Sequence, residues 1–218
     1  MKLPNFSFEK RLWKKRFKAI AGVDEVGRGA FAGPVVAGCV VFAQKQEINR
    51  QEVRIDDSKK LTFLQRKNAN KWIKKNALAW GIGKSEVGTI NRLGIGKAAK
   101  QAFRRAIAKA DKKTKNKIDY LLLDAFFVPY VPCLPSTKGK KCRQTPIING
   151  DEKSFSIAAA SIIAKVYRDK LMVKLDKKYR SKYKWGKNKG YGTKEHQKAI
   201  KKYGLTRLHR KLFVRKLI

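Results

Sequence analysis

Acidic side chains are scarce in this chain: 16 Asp and Glu stand against 54 Lys and Arg in 218 residues, a formal net charge of +38. So charged a chain repels itself unless a polyanion neutralises it, and nucleic acid is the evident polyanion. A solvated basic surface, or a cytoplasm that favours lysine, is the plainer explanation. Charge alone does not separate a nuclease from a ribosomal protein. Histidine and cysteine are sparse as well. Two histidines, His196 and His209, and three cysteines, Cys39, Cys133 and Cys142, contain no C-x-x-C and allow no zinc site of ordinary spacing. The odd cysteine count fits reduced thiols in a cytoplasmic protein. No apolar run is long enough for a membrane span. The basic residues Lys14, Lys15, Arg16 and Lys18 are not followed by an apolar stretch and a small-residue cleavage site, so no export signal is expected. What is plentiful is apolar residue content, 43%, enough for one real core at this length.

The first residues, 1–18, are basic with scattered aromatics and read as an arm. Residues 19–27 (AIAGVDEVG) and the β-branched run 33–43 (GPVVAGCVVFA) are expected to be neighbouring strands around a Gly27-Arg28-Gly29 turn. A basic helix is expected over 61–76, opened by Asp57-Ser58, then a strand over 78–86. A second helix is expected over 91–110, with Leu93, Ile95, Ala99, Phe103 and Ile107 as apolar markers. Residues 118–124 (IDYLLLD) read as a buried strand ending in a carboxylate. Pro129, Pro132, Pro135 and Pro146 mark 126–150 as a loop. The strongest helical pattern covers 154–179, with Phe155, Ala159, Ile162, Val166 and Val173 near one face. The order β-β-α-β-α-β implies a mixed sheet packed by helices, an α/β fold. From Lys170 onward, 18 Lys and Arg face two acids, Asp176 and Glu195, with Tyr179, Tyr183, Trp185 and Tyr191 interleaved. Such a stretch tracks a phosphate backbone and offers rings for stacking, or is a solvated cap whose aromatics pack on the body.

Because acids are few, those inside apolar segments need a reason. Asp24 and Glu25 interrupt AIAGVDEVG, Asp124 ends YLLLD, and Asp151 follows Gly150 ahead of the long helix. A buried carboxylate costs several kcal/mol unless paired or metal-bound. Four carboxylates converging at one end of a sheet would stay ionised only with cations between them, and Mg²⁺ takes oxygen ligands. Plainer roles exist: Asp151 as a helix N-cap, Asp124 as a turn residue, Asp24 and Glu25 as partners of Arg28 or a lysine. Strand alternation also keeps Asp24 and Glu25 from both pointing inward on a regular strand. The residues by themselves admit a metal-dependent phosphodiesterase.

Longer motifs narrow this. Ala21-Gly22-Val23-Asp24-Glu25-Val26-Gly27-Arg28-Gly29 with Ala32-Gly33-Pro34-Val35-Val36-Ala37, then Asp57-Ser58-Lys59-Lys60-Leu61, Asp124, and Gly150-Asp151-Glu152-Lys153-Ser154 resemble, in order, the motifs of the ribonuclease HII family, the type 2 ribonucleases H. So do Ser156 to Val166 with Arg168-Asp169, Gly190-Tyr191-Gly192-Thr193 with His196, and His209-Arg210. The likeness runs from about residue 20 to about residue 213. The segment AFFVPYVPCLPSTKGKKCRQ after Asp124 departs from it, being longer and richer in proline than the usual bacterial connection, and the basic arm is atypical too.

The resemblance implies a ribonuclease H-like mixed β-sheet flanked by helices with a helical C-terminal extension: an arm over 1–18, a catalytic domain over 19–180 and a basic extension over 181–218. It implies an endoribonuclease that hydrolyses the RNA strand of RNA–DNA hybrids and cuts 5′ of ribonucleotides embedded in duplex DNA, leaving 3′-OH and 5′-phosphate ends. Two Mg²⁺ or Mn²⁺ ions would be held by Asp24, Glu25, Asp124 and Asp151, with Asp24 bridging. Gly27, Arg28, Gly29, Tyr191 and Lys59 would bind substrate, and Asp169 would be a supporting acid. A cytoplasmic monomer is expected. The competing expectation is a non-catalytic, ribosome-associated RNA-binding protein.

Overall fold

A computed structural model describes residues 3–49, 51–125, 128 and 143–217. Five strands form one sheet in the order β3-β2-β1-β4-β5. They are β1 (Ile20–Val26), β2 (Val35–Val41), β3 (Ala79–Ser85), β4 (Tyr120–Asp124) and β5 (Arg143–Ile147). The first three are antiparallel neighbours, and β4 and β5 run parallel to β1. The expected mixed sheet is present with one addition. The loop foreseen over 126–150 ends in β5, and most of its earlier part lies outside the described residues, as do Cys133 and Cys142. Pro146 is tolerated in β5 because an edge strand leaves one side of its backbone unpaired.

Both faces of the sheet are covered, which is why β1 and β2 read as near-continuous apolar runs. On one face lies α3 (Val87–Asp111), whose Ala98, Ala102, Phe103 and Ala106 join Val35, Ala37, Cys39 and Val41 in one core. It starts earlier than the periodicity suggests and is interrupted at Gly94, where φ is 78°. Leu93, expected inside, is exposed at that break. On the other face lie α2 (Phe63–Asn76) and α4 (Phe155–Lys178). Helix α4 approaches so closely that a Cβ at Gly22 or Gly38 would collide with its backbone at Ser156 and Ala160. Its first ten residues are all buried, not only one stripe, whereas Val173 is exposed. Helix α2 is capped by Thr62 with Gln65 in a capping box, not by Asp57-Ser58 as expected.

The N-terminal stretch is not a free arm. Residues Ser7–Lys14 form α1, and Phe6 and Trp13 enter the core beside Phe42, Trp72 and Phe155. Glu9 is fully buried at the start of α4, accepting hydrogen bonds from Ser154 Oγ at 2.7 Å and Ser156 N at 3.0 Å. The basic C-terminal stretch folds into α5 (Trp185–Asn188), α6 (Lys194–Tyr203) and α7 (Lys211–Val214). Their apolar residues form a separate small core with Ala32 and Met172. Among the described residues no helix is long and apolar enough to cross a membrane.

Candidate active site

The parallel register that pairs Val23 with Leu123 sets the next residues, Asp24 and Asp124, side by side at the end of the two central strands. Alternation puts both on the α4 face. Asp151 joins them from the 3-10 turn Gly150–Glu152 that leads into α4. Ser154, not Asp151, caps α4, its Oγ accepting from Ile157 N, so the carboxylate of Asp151 is left for the cleft. One carboxylate oxygen from each of Asp24, Asp124 and Asp151 lies within 4.8 Å of the others. Backbone donors orient two of them: Glu25 N donates to Asp24 Oδ1 at 2.7 Å and Gly150 N to Asp124 Oδ1 at 2.8 Å.

Glu25 stands apart from this group. It lies on the other face of β1, its Oε1 3.6 Å from the Arg28 guanidinium, and lines the same cleft from its rim. Gly27, Arg28, Gly29, Lys59 and Tyr191 also line that cleft, whose volume is about 450 Å³, together with Ser58, Ser161 and Lys165. Every residue expected in the site is therefore gathered there, with three of the four carboxylates in one cluster.

The electrostatics are those of a site short of positive charge. Burial raises Asp24 well above the usual carboxylate range, with Glu25, Asp124 and Asp151 pushing the same way and a Ser161 hydrogen bond opposing. Burial pushes Glu25 up to about 7, Asp124 adding to this and Arg28 opposing it. Asp151 rises to about 6 through burial and then Asp124 and Asp57, opposed by Lys59. The Lys59 ammonium is 3.8 Å from Asp151 and 4.0 Å from Asp57. Against the lowering effect of burial, these carboxylates hold it above its ordinary value. The donor set is all carboxylate oxygen, which fits a hard divalent cation such as Mg²⁺ or Mn²⁺ and not zinc.

Two buried arginines frame the cleft. Gly27 has φ 87°, and a side chain there would strike Arg168. Arg168 is fully buried and donates to the carbonyls of Pro34 at 3.0 Å, Lys189 at 2.8 Å and Ala32 at 3.2 Å. It thus ties the loop after β1 to the segment bearing Tyr191. Arg210 donates to Gly33 O and, at 2.7 Å, to Arg28 O. Tyr191 is half-buried, its ring 5.3 Å from the Arg168 guanidinium and 5.9 Å from Lys165 Nζ. Its carbonyl accepts from His196 Nδ1 at 2.8 Å. That bond places the His196 proton on Nδ1, leaving Nε2 to accept from Trp185 Nε1 at 3.1 Å and from His209 Nε2 at 3.2 Å. His209 Nδ1 in turn accepts from Thr206 N. Asp169 pairs with Lys165 at 3.0 Å and holds it beside the cleft. The roles of Lys165, Arg168, Arg210 and the histidine pair were not assigned from the sequence, although all lie inside the quoted motifs.

Fold and site together define a class: a metal-dependent hydrolase built on a ribonuclease H-like sheet, with carboxylates at the ends of adjacent strands. The family model for "Ribonuclease HII" matches residues 21–216. A ribonuclease HII of Caldanaerobacter subterraneus subsp. tengcongensis is 44% identical over 211 residues, covering 97% of this chain and 80% of that protein. Among solved structures, ribonuclease H2 from Pyrococcus horikoshii OT3 superposes with a TM-score of 0.69 at 24% identity, over 91% of this chain and 96% of that one. A Bst ribonuclease HIII in complex with Mn²⁺ gives 0.65 at 17% identity, over 92% and 69%. The chain belongs to the ribonuclease HII family and is a metal-dependent ribonuclease. The non-catalytic RNA-binding alternative has no support, and a pure phosphate binder would gain nothing from the buried carboxylates.

Proposed function

We propose that the protein hydrolyses the RNA strand of RNA–DNA hybrids and cuts on the 5′ side of ribonucleotides embedded in duplex DNA. The observation that carries this is the cluster of Asp24, Asp124 and Asp151 opening into a cleft rimmed by Gly27-Arg28-Gly29, Lys59, Lys165 and Tyr191. Asp24 would be shared between two Mg²⁺ or Mn²⁺ ions, with Asp124 and Asp151 each completing one position and Glu25 assisting from the rim. The chemistry such a pair supplies is activation of a water and neutralisation of charge at the reacting phosphate, giving 3′-OH and 5′-phosphate ends.

The chain's own residues position the substrate around that centre. Lys59 and Lys165 offer ammonium groups to phosphates on two sides of the cleft. Gly27 to Gly29 line the cleft, and nothing would meet a side chain at Gly29, so a sugar has room to approach the main chain. Tyr191, fixed through its carbonyl by His196, lines the same cleft. A ribose 2′-OH bonded in this corner is the group that separates RNA from DNA.

Single-turnover cleavage of matched duplexes with zero, one and four ribonucleotides tests the reading. The ribonucleotide-containing duplexes are expected to be cut and the all-DNA duplex left intact. Tyr191→Ala is expected to slow cleavage at a single ribonucleotide about ten- to a hundred-fold, the loss of one hydrogen bond and one stacking contact, with a smaller effect on duplex affinity. Equal cutting of all-DNA duplex, or a Tyr191→Ala enzyme as fast as wild type, would remove junction recognition from this site.

A further inference from the structure

Positive charge is concentrated a second time beyond α4, at the edge strand β3. Lys74, Lys84, Lys109, Lys112 and Lys113 line a pocket of about 550 Å³ with Trp80 and Tyr167, and among the described residues no carboxylate lines it. Lys84 pairs with Glu86 at 2.5 Å. Among the described residues Lys74, Lys109, Lys112 and Lys113 make no ion pair. Two of these ammonium groups share one indole: Lys113 Nζ lies 3.9 Å and Lys74 Nζ 4.6 Å from the Trp80 ring centre. Burial, with Lys170 and Lys113 close by, lowers Lys74 from the ordinary ammonium value. Like charges drawn together in this way are a standing repulsion that an anion would relieve.

Round α4, a groove lined by Phe63, Arg66, Lys67, Asp169, Lys170 and Lys189 lies between this pocket and the catalytic cleft. At 3.6 residues per turn, Lys165, Asp169, Val166, Lys170 and Tyr167 follow one another round half of α4. They belong in that order to the cleft, the groove and the lysine pocket. Along α2, Phe63, 72% exposed, lines the groove a few residues after Ser58 and Lys59 of the cleft, and Lys74 lines the lysine pocket. Eleven residues of helix separate them, about 16 Å at 1.5 Å per residue, or about five nucleotide steps of a duplex at 3.4 Å each.

We propose that the Trp80–lysine pocket is a second binding site for the phosphate backbone of the duplex substrate, reached along the α2–α4 groove. The inference rests on the nucleic-acid reading of the cleft and extends its footprint. Phosphate fits the lysines, and the exposed rings of Phe63 and Tyr167 suit the apolar sugar edges between phosphates. Because phosphate contacts carry no sequence information, the pocket raises affinity for long duplexes of any sequence.

The test measures binding of the full chain in EDTA, where cleavage is blocked, to hybrids of about 6 and about 20 base pairs, one short of the pocket's reach and one well past it. The wild-type protein is expected to bind the longer hybrid about ten-fold more tightly than the added number of positions explains. In the variant Lys74→Gln, Lys109→Gln, Lys112→Gln, Lys113→Gln most of that gain should vanish, and the slope of log affinity against log salt should fall by about 3. A control removing the same charge elsewhere, Lys10→Gln, Lys14→Gln, Lys15→Gln, Lys18→Gln, should keep the gain. An unchanged long-to-short ratio in the pocket variant, or an equal loss in the control, overturns the proposal. Should the fourfold variant melt too low, the exposed pair Lys112→Gln, Lys113→Gln at the end of α3 carries the same test with half the slope change. Absence of wild-type cleavage of the short hybrid with Mg²⁺ would count against the proposed function instead, and the length dependence in EDTA would still decide the pocket.

Discussion

Two regions of this protein bury charge and polarity, and they do so in opposite ways. Around Arg168, Arg210, His196 and His209 the buried donors meet acceptors: two guanidinium groups bond five carbonyls between them, and the two imidazoles settle on one pair of tautomers. A few residues away, Asp24, Asp124 and Asp151 crowd three carboxylates together with one lysine near them. Buried polar groups cost little when satisfied and much when not. The first region therefore holds the architecture, and the second stores an unfavourable arrangement that a cation relieves. The satisfied region positions the rim beside the strained one, since Arg168 and Arg210 clamp the loop that carries Gly27, Arg28 and Gly29.

The largest effect should come from the carboxylates. Asp24→Asn or Asp124→Asn is expected to reduce cleavage by on the order of a thousand-fold or more, because neither a cation nor its water is then held in place. In EDTA the same proteins should be no less stable than wild type and as much as about 1 kcal/mol more stable, since a repulsion has been removed. Near-wild-type turnover in either variant would take that residue out of the centre.

Arg168→Met should do the reverse. It leaves the carbonyls of Ala32, Pro34 and Lys189 without a donor, so a loss of about 3–4 kcal/mol in denaturant unfolding is expected from three charge-assisted bonds. A loss under about 1 kcal/mol would mean that water replaces the guanidinium and that the clamp is not structural.

The two regions also respond to pH with opposite signs. His209, buried and beside His196, falls from 6.5 to about 4 in the fold. The unfolded chain thus takes up a proton first as pH drops, and up to about 3 kcal/mol of stability is lost between pH 6.5 and 4. Glu25 and Asp151, raised to about 7 and about 6, favour the fold at low pH and withdraw that contribution as pH rises through those values. The two carboxylates together are shifted further than the one histidine, so in urea unfolding the metal-free protein should lose stability as pH rises across this window. In Glu25→Gln that fall from pH 4 to 7 should be much shallower. A fall as steep as wild type's would show that Glu25 does not titrate as its surroundings require.

The smallest expected effect is the direct relief of the cleft. Saturating Mg²⁺ at neutral pH should stabilise the wild-type protein by about 1–3 kcal/mol, through binding to the folded state alone. It should stabilise Asp24→Asn much less. An equal rise in melting temperature for both would place the ion elsewhere.

Much of the centre was legible beforehand because an acid in an apolar run is conspicuous when acids are rare. Asp24 in AIAGVDEVG, Asp124 after YLLL and Asp151 before the long helix each stood out in this way. Strand alternation already said that Asp24 and Glu25 could not share a face. The strands β1 to β4 and the helix over 154–179 were equally legible from apolar spacing. Arginine and lysine were another matter. With 54 of them in the chain, nothing local marks Arg168 or Arg210 as buried, because their partners lie 21 to 182 residues away. The same holds for α1, whose basic composition concealed a helix docked through Phe6, Trp13 and the buried Glu9. It holds too for β5, a strand of RQTPI that only the exposed edge of β4 recruits.

The sequence by itself determined that β1 to β4 and the long helices form and which carboxylates are expensive to bury, because helix and strand periodicity and the scarcity of acids are local properties of the chain. Only the tertiary structure decided that Asp24 and not Glu25 enters the three-carboxylate cluster, that Ser154 caps α4 and leaves Asp151 for the cleft, and that two arginines lie inside. Each of those outcomes depends on the register between β1 and β4 and on the close seat of α4 against Gly22 and Gly38. Register and helix seating are set by packing between segments a hundred residues apart, which no local pattern encodes.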